Sequence, residues 1–279
     1  MQTRRARLTA VRGIPLVALL CASTLGCSER ATRGVDRFYG IVNSPAADGK
    51  LVSIDVRGPN DVTITPIGTI GAFGCTSVAL SSQGTLYSVC GPSDFVDKKH
   101  QYFCMTPGPQ RLATIDPKTG HATLFGAPVE KLNVMALDVA PDGTLYAIGD
   151  ANPASPTFNT LYTVDPKTGA FTAVGPTATP KSDFFMDLAF DGRGTMYGAS
   201  MFGLYTIDRK TGTANKVASF VGGGGVMGLS YNATQDKLYA TDYKDPTSDV
   251  YIVDVHTGFL TPVGTTGYPN AHGLVAAAR

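Results

Sequence analysis

Leu161-Tyr-Thr-Val-Asp165-Pro-Lys-Thr-Gly169 is the stretch whose recurrence decides the fold. Four strand-favouring residues run into a turn in which Asp can accept from backbone N–H groups two or three residues on, Pro presets φ, and Gly takes the left-handed position. The phrase also stands at Leu112-Ala-Thr-Ile-Asp116-Pro-Lys-Thr-Gly120, at Leu204-Tyr-Thr-Ile-Asp208-Arg-Lys-Thr-Gly212 and at Val250-Tyr-Ile-Val-Asp254-Val-His-Thr-Gly258. A degraded copy is Leu51-Val-Ser-Ile-Asp55-Val-Arg-Gly58. Successive aspartates lie 61, 49, 43 and 46 residues apart, and a period in the forties is that of a propeller blade.

A second phrase precedes each full copy: an apolar strand, a tight turn, then Gly-Thr-Leu-Tyr or a variant. It reads Thr76–Leu80 with Gly84–Tyr87, Met135–Val139 with Gly143–Tyr146, Met186–Phe190 with Gly194–Tyr197, and Met227–Tyr231 with Asp236–Tyr239. Each unit therefore holds four short strands and two hairpins, with no helical periodicity. The first unit lacks its innermost strand and begins at Phe38-Tyr-Gly-Ile41. The missing strand stands at the far end, His272-Gly-Leu-Val-Ala276. The expected fold is an all-β, five-bladed β-propeller with four antiparallel strands per blade, its first blade closed by the C-terminal strand. The blades are expected at about 37–71 plus 271–279, 75–127, 134–177, 185–220 and 226–267, making 37–279 one propeller domain.

These two phrases resemble bacterial secreted β-propellers of the broad YVTN/NHL-like and Kelch-like class. The resemblance covers nearly all of the chain after its N-terminal segment. It implies the fold and leaves function open, because such propellers include binders, scaffolds and some enzymes. The Trp-Asp ending of WD40 repeats is missing, since the chain has no Trp.

Ahead of the repeats, Arg4, Arg5, Arg7 and Arg12 precede an apolar run from Ile14 to Leu25. A basic stretch followed by a short apolar one reads as a secretory signal peptide, residues 1–26, too short for a comfortable membrane span. Thr24-Leu25-Gly26-Cys27 resembles the bacterial lipoprotein cleavage box, which makes Cys27 the candidate for lipidation. Residues 27–36 read as a polar tether. Removing residues 1–26 takes four arginines and no acid, so the net charge of +1 becomes −3. That balance gives no support for nucleic-acid binding. The expected place is outside the cytoplasm, lipid-anchored at a bacterial membrane or else periplasmic or secreted. The expected partner is a protein or glycan of the cell envelope, with the membrane met only through the anchor and the chain monomeric.

Function on a rigid scaffold collects on loops. Here these are the connections between second and third strands and the approaches to the inner strands near Gly74, Asn133, Asp183, Gly225 and Asn270. The longest connection, Gly91–Gln110, carries Asp94, Asp97, His100, Tyr102 and Phe103 and is the candidate ligand-binding loop. Of five cysteines, Cys75, Cys90 and Cys104 lie at one end of the second blade. Export makes a disulfide plausible. Cys90–Cys104 would staple the long loop and is preferred, while Cys75–Cys90 would cross the inner hairpin.

Catalytic motifs are missing: there is no Gly-x-Ser-x-Gly, His-Glu-x-x-His or Cys-x-x-Cys. Asp138 and Asp187 on inner strands, with His272 opening the closing strand, are the residues an enzymatic alternative would use, a hydrolase or lyase acting on a sugar or lactone. The two acids would equally serve backbone groups at blade junctions. Asp242, Asp245 and Asp249 share a loop and could gather Ca²⁺, although their spacing matches no EF-hand and a solvated loop is favoured. No cofactor is expected. The repeated turn aspartates read as turn architecture, and Tyr87, Tyr146, Tyr197 and Tyr239 as packing between blades.

Overall fold

The computed structural model describes residues 34–42, 49–91, 109–129, 132–149 and 154–277. All regular structure among them is β. In chain order the strands are β1 (Asp36–Val42), β2 (Lys50–Gly58) and β3 (Asp61–Thr69); β4 (Ala79–Leu80), β5 (Leu86–Cys90), β6 (Gln110–Ile115) and β7 (Ala122–Val129); β8 (Val134–Val139), β9 (Leu145–Gly149), β10 (Thr160–Val164) and β11 (Phe171–Pro176). There follow β12 (Phe185–Phe190), β13 (Met196–Ser200), β14 (Gly203–Ile207) and β15 (Ala214–Ser219), then β16 (Gly225–Asn232), β17 (Lys237–Tyr243), β18 (Asp249–Val253) and β19 (Leu260–Thr265), and last β20 (His272–Ala276). They form five four-stranded antiparallel sheets, and the first has the order β20-β1-β2-β3. Phe38 pairs with Ala276 and Gly40 with Leu274, so the ends of the chain share one blade.

The core lies at the five junctions between blades. Leu112, Leu137 and Tyr162 belong to one cluster, Ile148, Phe190 and Tyr205 to the next, and Leu204, Leu229 and Tyr251 to the one after. The repeated tyrosines do what their spacing suggests: Tyr146 lies 5.5 Å from Phe190, and Tyr239 lies 4.8 Å from Phe38. The repeated turn is also explained. Asp165 accepts from Lys167 N–H at 2.9 Å, Asp208 from Lys210 N–H at 2.7 Å and Asp254 from His256 N–H at 2.8 Å, and these bonds hold each carboxyl below the usual range. Gly212 has φ +82°, and a Cβ there would stand 2.4 Å from the Gly175 carbonyl oxygen of the preceding blade. The turn glycine therefore meets two demands at once, a left-handed backbone and a close blade-to-blade approach.

One expectation is adjusted. The inner strand of the second blade is ladder-paired only at Ala79–Leu80. Thr76 and Ser77 instead turn their hydroxyls to neighbouring blades, Thr76 donating to the Val134 carbonyl at 3.1 Å. The Gly222–Gly225 run is closely packed: a Cβ on Gly223 would lie 2.6 Å from the Leu260 side chain and one on Gly225 2.7 Å from Met201 Cε.

Candidate functional site

An inner strand of a propeller has one edge paired with its own blade and one facing the axis. The N–H groups on the axial edge need acceptors from elsewhere. Asp187 supplies most of them. Its Oδ1 accepts from Leu188 N–H at 3.0 Å and from the Ser77 hydroxyl at 2.7 Å; its Oδ2 accepts from Leu229 N–H at 2.8 Å and Leu274 N–H at 3.3 Å. Ser77 Oγ in turn accepts from Leu137 N–H at 3.0 Å. One buried carboxyl and one hydroxyl thus tie all five inner strands together. Asp138 does the same at one junction, taking Val139 N–H at 2.8 Å and Phe190 N–H at 2.9 Å, and Ser230 accepts from Ala276 N–H at 2.8 Å at the corresponding place. Burial pushes the Asp187 carboxyl well above the usual carboxylate range against these bonds, and Asp138 adds to the rise. The two acids therefore sit where blade-junction acceptors are needed, with their oxygens engaged. His272 is buried too. Its Nδ1 has no hydrogen-bond partner among the described residues, and burial holds its pKa down to about 4.

The face that carries the second-to-third strand connections, the loop face, is built from a second repeated device. In three blades the residue at or just before the third strand pins the start of the next blade. Gln110 Oε1 accepts from Val134 N–H at 2.8 Å, Asn159 Oδ1 from Phe185 N–H at 3.2 Å and Ser248 Oγ from Ala271 N–H at 3.1 Å. Asn159 Nδ2 also donates to Thr179 Oγ1 at 2.8 Å and to the Asp183 carbonyl at 2.9 Å, which sets the approach 178–183 in place.

That approach walls a groove of about 590 Å³ on the fourth blade, together with Phe202, Tyr205, Ala214 and Lys216. Tyr205 donates its hydroxyl to Asp183 Oδ2, and burial together with that bond raises the phenol well above its ordinary value. Asp183 Oδ1 is buried and has no hydrogen-bond partner among the described residues. Lys216 Nζ lies 5.8 Å from the Tyr205 ring centre. Phe202, 62% exposed, stands on the β13–β14 connection. The fifth blade repeats the tyrosine and the acid but closes the set. Tyr251 donates to Asp242 Oδ2 at 2.9 Å and Asp242 Oδ1 accepts from Asp249 N–H at 2.7 Å, while Asp249 pairs with Lys244 Nζ at 2.5 Å.

The acids Asp242 and Asp249 are thus spent on a phenol, a backbone N–H and an ammonium, and Asp245 precedes Pro246 in the same loop. Among the described residues no three His, Cys, Asp or Glu side chains are grouped to hold a metal ion. The candidate ligand-binding residues Asp94, Asp97, His100, Tyr102 and Phe103 lie outside the described residues, as do Cys27 and Cys104. The preferred Cys90–Cys104 pairing is corrected: Cys90 is joined to Cys75, with Cα atoms 4.6 Å apart. The physical reason is the inner hairpin, whose Phe73–Gly91 bridge brings the two cysteines opposite each other. The tyrosine–acid pairs of the loop face were missed. The signal was the tyrosine recurring third in the third strand, at Tyr162, Tyr205 and Tyr251.

No protein-family model matches the chain, and no curated protein matches it. Solved structures match in fold. A protein provisionally described as a gluconolactonase superposes with a TM-score of 0.50 at 16% identity, over 85% of this chain and 84% of its own. A gluconolactonase from Xanthomonas campestris gives 0.48 at 18% identity over 84% and 77%. TolB from Acinetobacter baumannii gives 0.47 at 15% identity over 82% of this chain and 53% of its own, so the chain spans about half the length of TolB. At these identities the likeness is one of propeller fold alone.

Proposed function

We propose that the chain is an exported, monomeric propeller scaffold that binds an envelope ligand, a glycan in preference to a protein, in the loop-face groove of its fourth blade. The observation that carries this reading is the incomplete acid in that groove: Asp183 Oδ1 has no partner among the described residues, while Asp242, the acid that meets the corresponding tyrosine of the fifth blade, has both oxygens engaged. A sugar ring brings hydroxyl donors for an acid, hydroxyl acceptors for the Lys216 ammonium and a C–H face for the exposed Phe202 ring. Residues 1–26 serve as the export signal, Cys27 as a lipid attachment and 27–36 as the tether of the propeller domain. Asp94, Asp97, His100, Tyr102 and Phe103 of the long connection are further ligand contacts in this reading.

The test is a thermal-shift and affinity screen of the purified protein against a panel of neutral and charged oligosaccharides. A ligand that binds only the folded state at a hundred times its Kd adds about 2.7 kcal/mol of stability. The expected result is a glycan whose affinity falls about tenfold or more in both Phe202→Ala and Asp183→Ala. A ligand held with unchanged affinity by both variants overturns the site.

The fold likeness to a protein described as a gluconolactonase supports a second reading, an envelope hydrolase or lyase acting on a sugar or lactone through Asp138, Asp187 and His272. It requires a substrate to reach carboxyls that the blades already use. Unchanged turnover in an Asp138→Asn, Asp187→Asn double variant removes it.

A further inference from the structure

Four of the chain's seven methionines meet at one place. Met135, Met186 and Met227 are buried and form a cluster of their own, apart from the five junction cores, with Met201, Phe73 and Phe184 packed against it. The three stand at the same step of the repeat, at the loop-face start of β8, β12 and β16 and directly before Ala136, Asp187 and Gly228. In the closing strand His272 precedes Leu274 as the methionines precede Leu137, Leu188 and Leu229, although the ladder there pairs His272 with Ile41 and skips Gly273, where the other strands skip the methionine. The two neighbouring strands are in contact there: a Cβ on Gly228 would lie 3.4 Å from the Gly273 carbonyl carbon and 3.3 Å from Leu274 Cβ. His272 is buried at 3% exposure, and its Nδ1 has no hydrogen-bond partner among the described residues.

Packing alone does not ask for this set. Two residues further along the same strands Leu137, Leu188, Leu229 and Leu274 go into four separate junction cores, whereas the methionines meet one another. The thioether adds a soft, polarizable sulfur on a side chain that adapts its shape. An unpartnered buried imidazole nitrogen adds a donor atom whose desolvation is otherwise uncompensated. Thioethers with an imidazole suit monovalent copper. Calcium and magnesium want oxygen, which these groups do not offer.

We propose that the loop-face mouth of the propeller axis is a Cu(I) site, with the sulfurs of Met135, Met186 and Met227 and the imidazole of His272 as ligands. Phe73 and Phe184 shield the ion from water, and Met201, on the β13–β14 connection, is a further sulfur within the cluster. All four ligands are neutral, so the ion enters with a single positive charge, which is less costly to bury than a double one.

The test uses the purified protein with its free thiols alkylated, so that Cys side chains cannot hold the metal. Cu(I) is offered anaerobically against a chromogenic Cu(I) chelator, and Ag(I) serves as a probe that does not change oxidation state. The expected result is one Cu(I) withdrawn per chain, a rise in Tm, and sulfur plus nitrogen scattering in the X-ray absorption of the bound metal. Met135→Leu combined with Met227→Leu weakens binding by about a hundredfold or more. Because Leu for Met nearly conserves volume, the metal-free Tm stays close to that of the parent; should the pair not fold, Met186→Leu alone carries the same comparison. His272→Gln removes the nitrogen scattering. Failure to withdraw copper from the chelator overturns the proposal, and so does equal affinity in the leucine variants.

Discussion

Asp187 at the axis and Asp183 in the groove of the fourth blade are four residues apart and lead opposite lives. Asp187 accepts from three N–H groups and a hydroxyl drawn from four blades. Asp183 accepts from the Tyr205 hydroxyl on one oxygen, and its other oxygen is buried without a partner among the described residues. A buried acid whose acceptors are all filled by its own chain is a structural tie. One with an unfilled acceptor carries a cost of about 1–3 kcal/mol that a ligand can relieve. The fifth blade supplies the internal control, since Asp242 and Tyr251 repeat the groove pair with both acid oxygens used.

The comparison breaks most visibly at the axis. Asp187→Ala leaves the N–H groups of Leu188, Leu229 and Leu274 without their acceptor and the Ser77 hydroxyl with only the Leu137 carbonyl at 3.3 Å. The expected loss is about 3 kcal/mol or more in denaturant unfolding, and a loss below about 1 kcal/mol would mean that the axis is not held by this carboxyl. Next comes the matched pair. Asp242→Ala strands the Asp249 N–H, leaves the Tyr251 hydroxyl only a long bond to Asp249 Oδ2 at 3.4 Å, and is expected to cost about 2 kcal/mol. Asp183→Ala strands only the Tyr205 hydroxyl and removes an unpaired oxygen, so its cost stays under about 1 kcal/mol. Equal losses in the two variants would erase the distinction between a filled and an unfilled acid. The smallest effect sharpens the contrast with exposed acids. The N–H bonds of Asp116, Asp165, Asp208 and Asp254 hold their carboxyls below the usual value of 3.8, so the folded state sheds these protons at lower pH than the unfolded chain. Their contribution is complete above that value and is lost as pH falls through the lower folded values. A modest decline in Tm below about pH 4 is expected, shallower when Asp165 is replaced by Asn. A Tm that holds level down to pH 2 would contradict it.

The ring itself was legible in the sequence because each blade repeats its turn chemistry. Asp165-Pro-Lys-Thr-Gly169 and Gly143-Thr-Leu-Tyr146 are local signals, readable without knowing what they pack against, and their spacing counts the blades. The closure by His272–Ala276 was legible as a strand missing from one end and spare at the other. The groove was not, because its parts come from 178–183, 202–205 and 214–216, and no short motif joins an approach, a connection and an outer strand. The double duty of Asp138 and Asp187 was read as two alternatives. The choice depends on which N–H groups lie across a junction, and a single strand cannot display that. The disulfide turned on the same limit: Cys75 and Cys90 are 15 residues apart in sequence, yet the inner hairpin makes them neighbours.

The pairing of β1 with β20 also has a meaning in time. β1 is the first of the described strands in chain order, and the strand that covers its axial edge is the last of them. Until His272–Ala276 arrives, Phe38–Ile41 presents an unpaired edge and the Asp187 carboxyl lacks the Leu274 N–H. A chain cut short before residue 272 carries four finished blades and an open seam, a shape prone to edge pairing and open to proteases. Sealing of the ring thus waits on the last described strand, and a product that lacks it is marked by its own exposed edge.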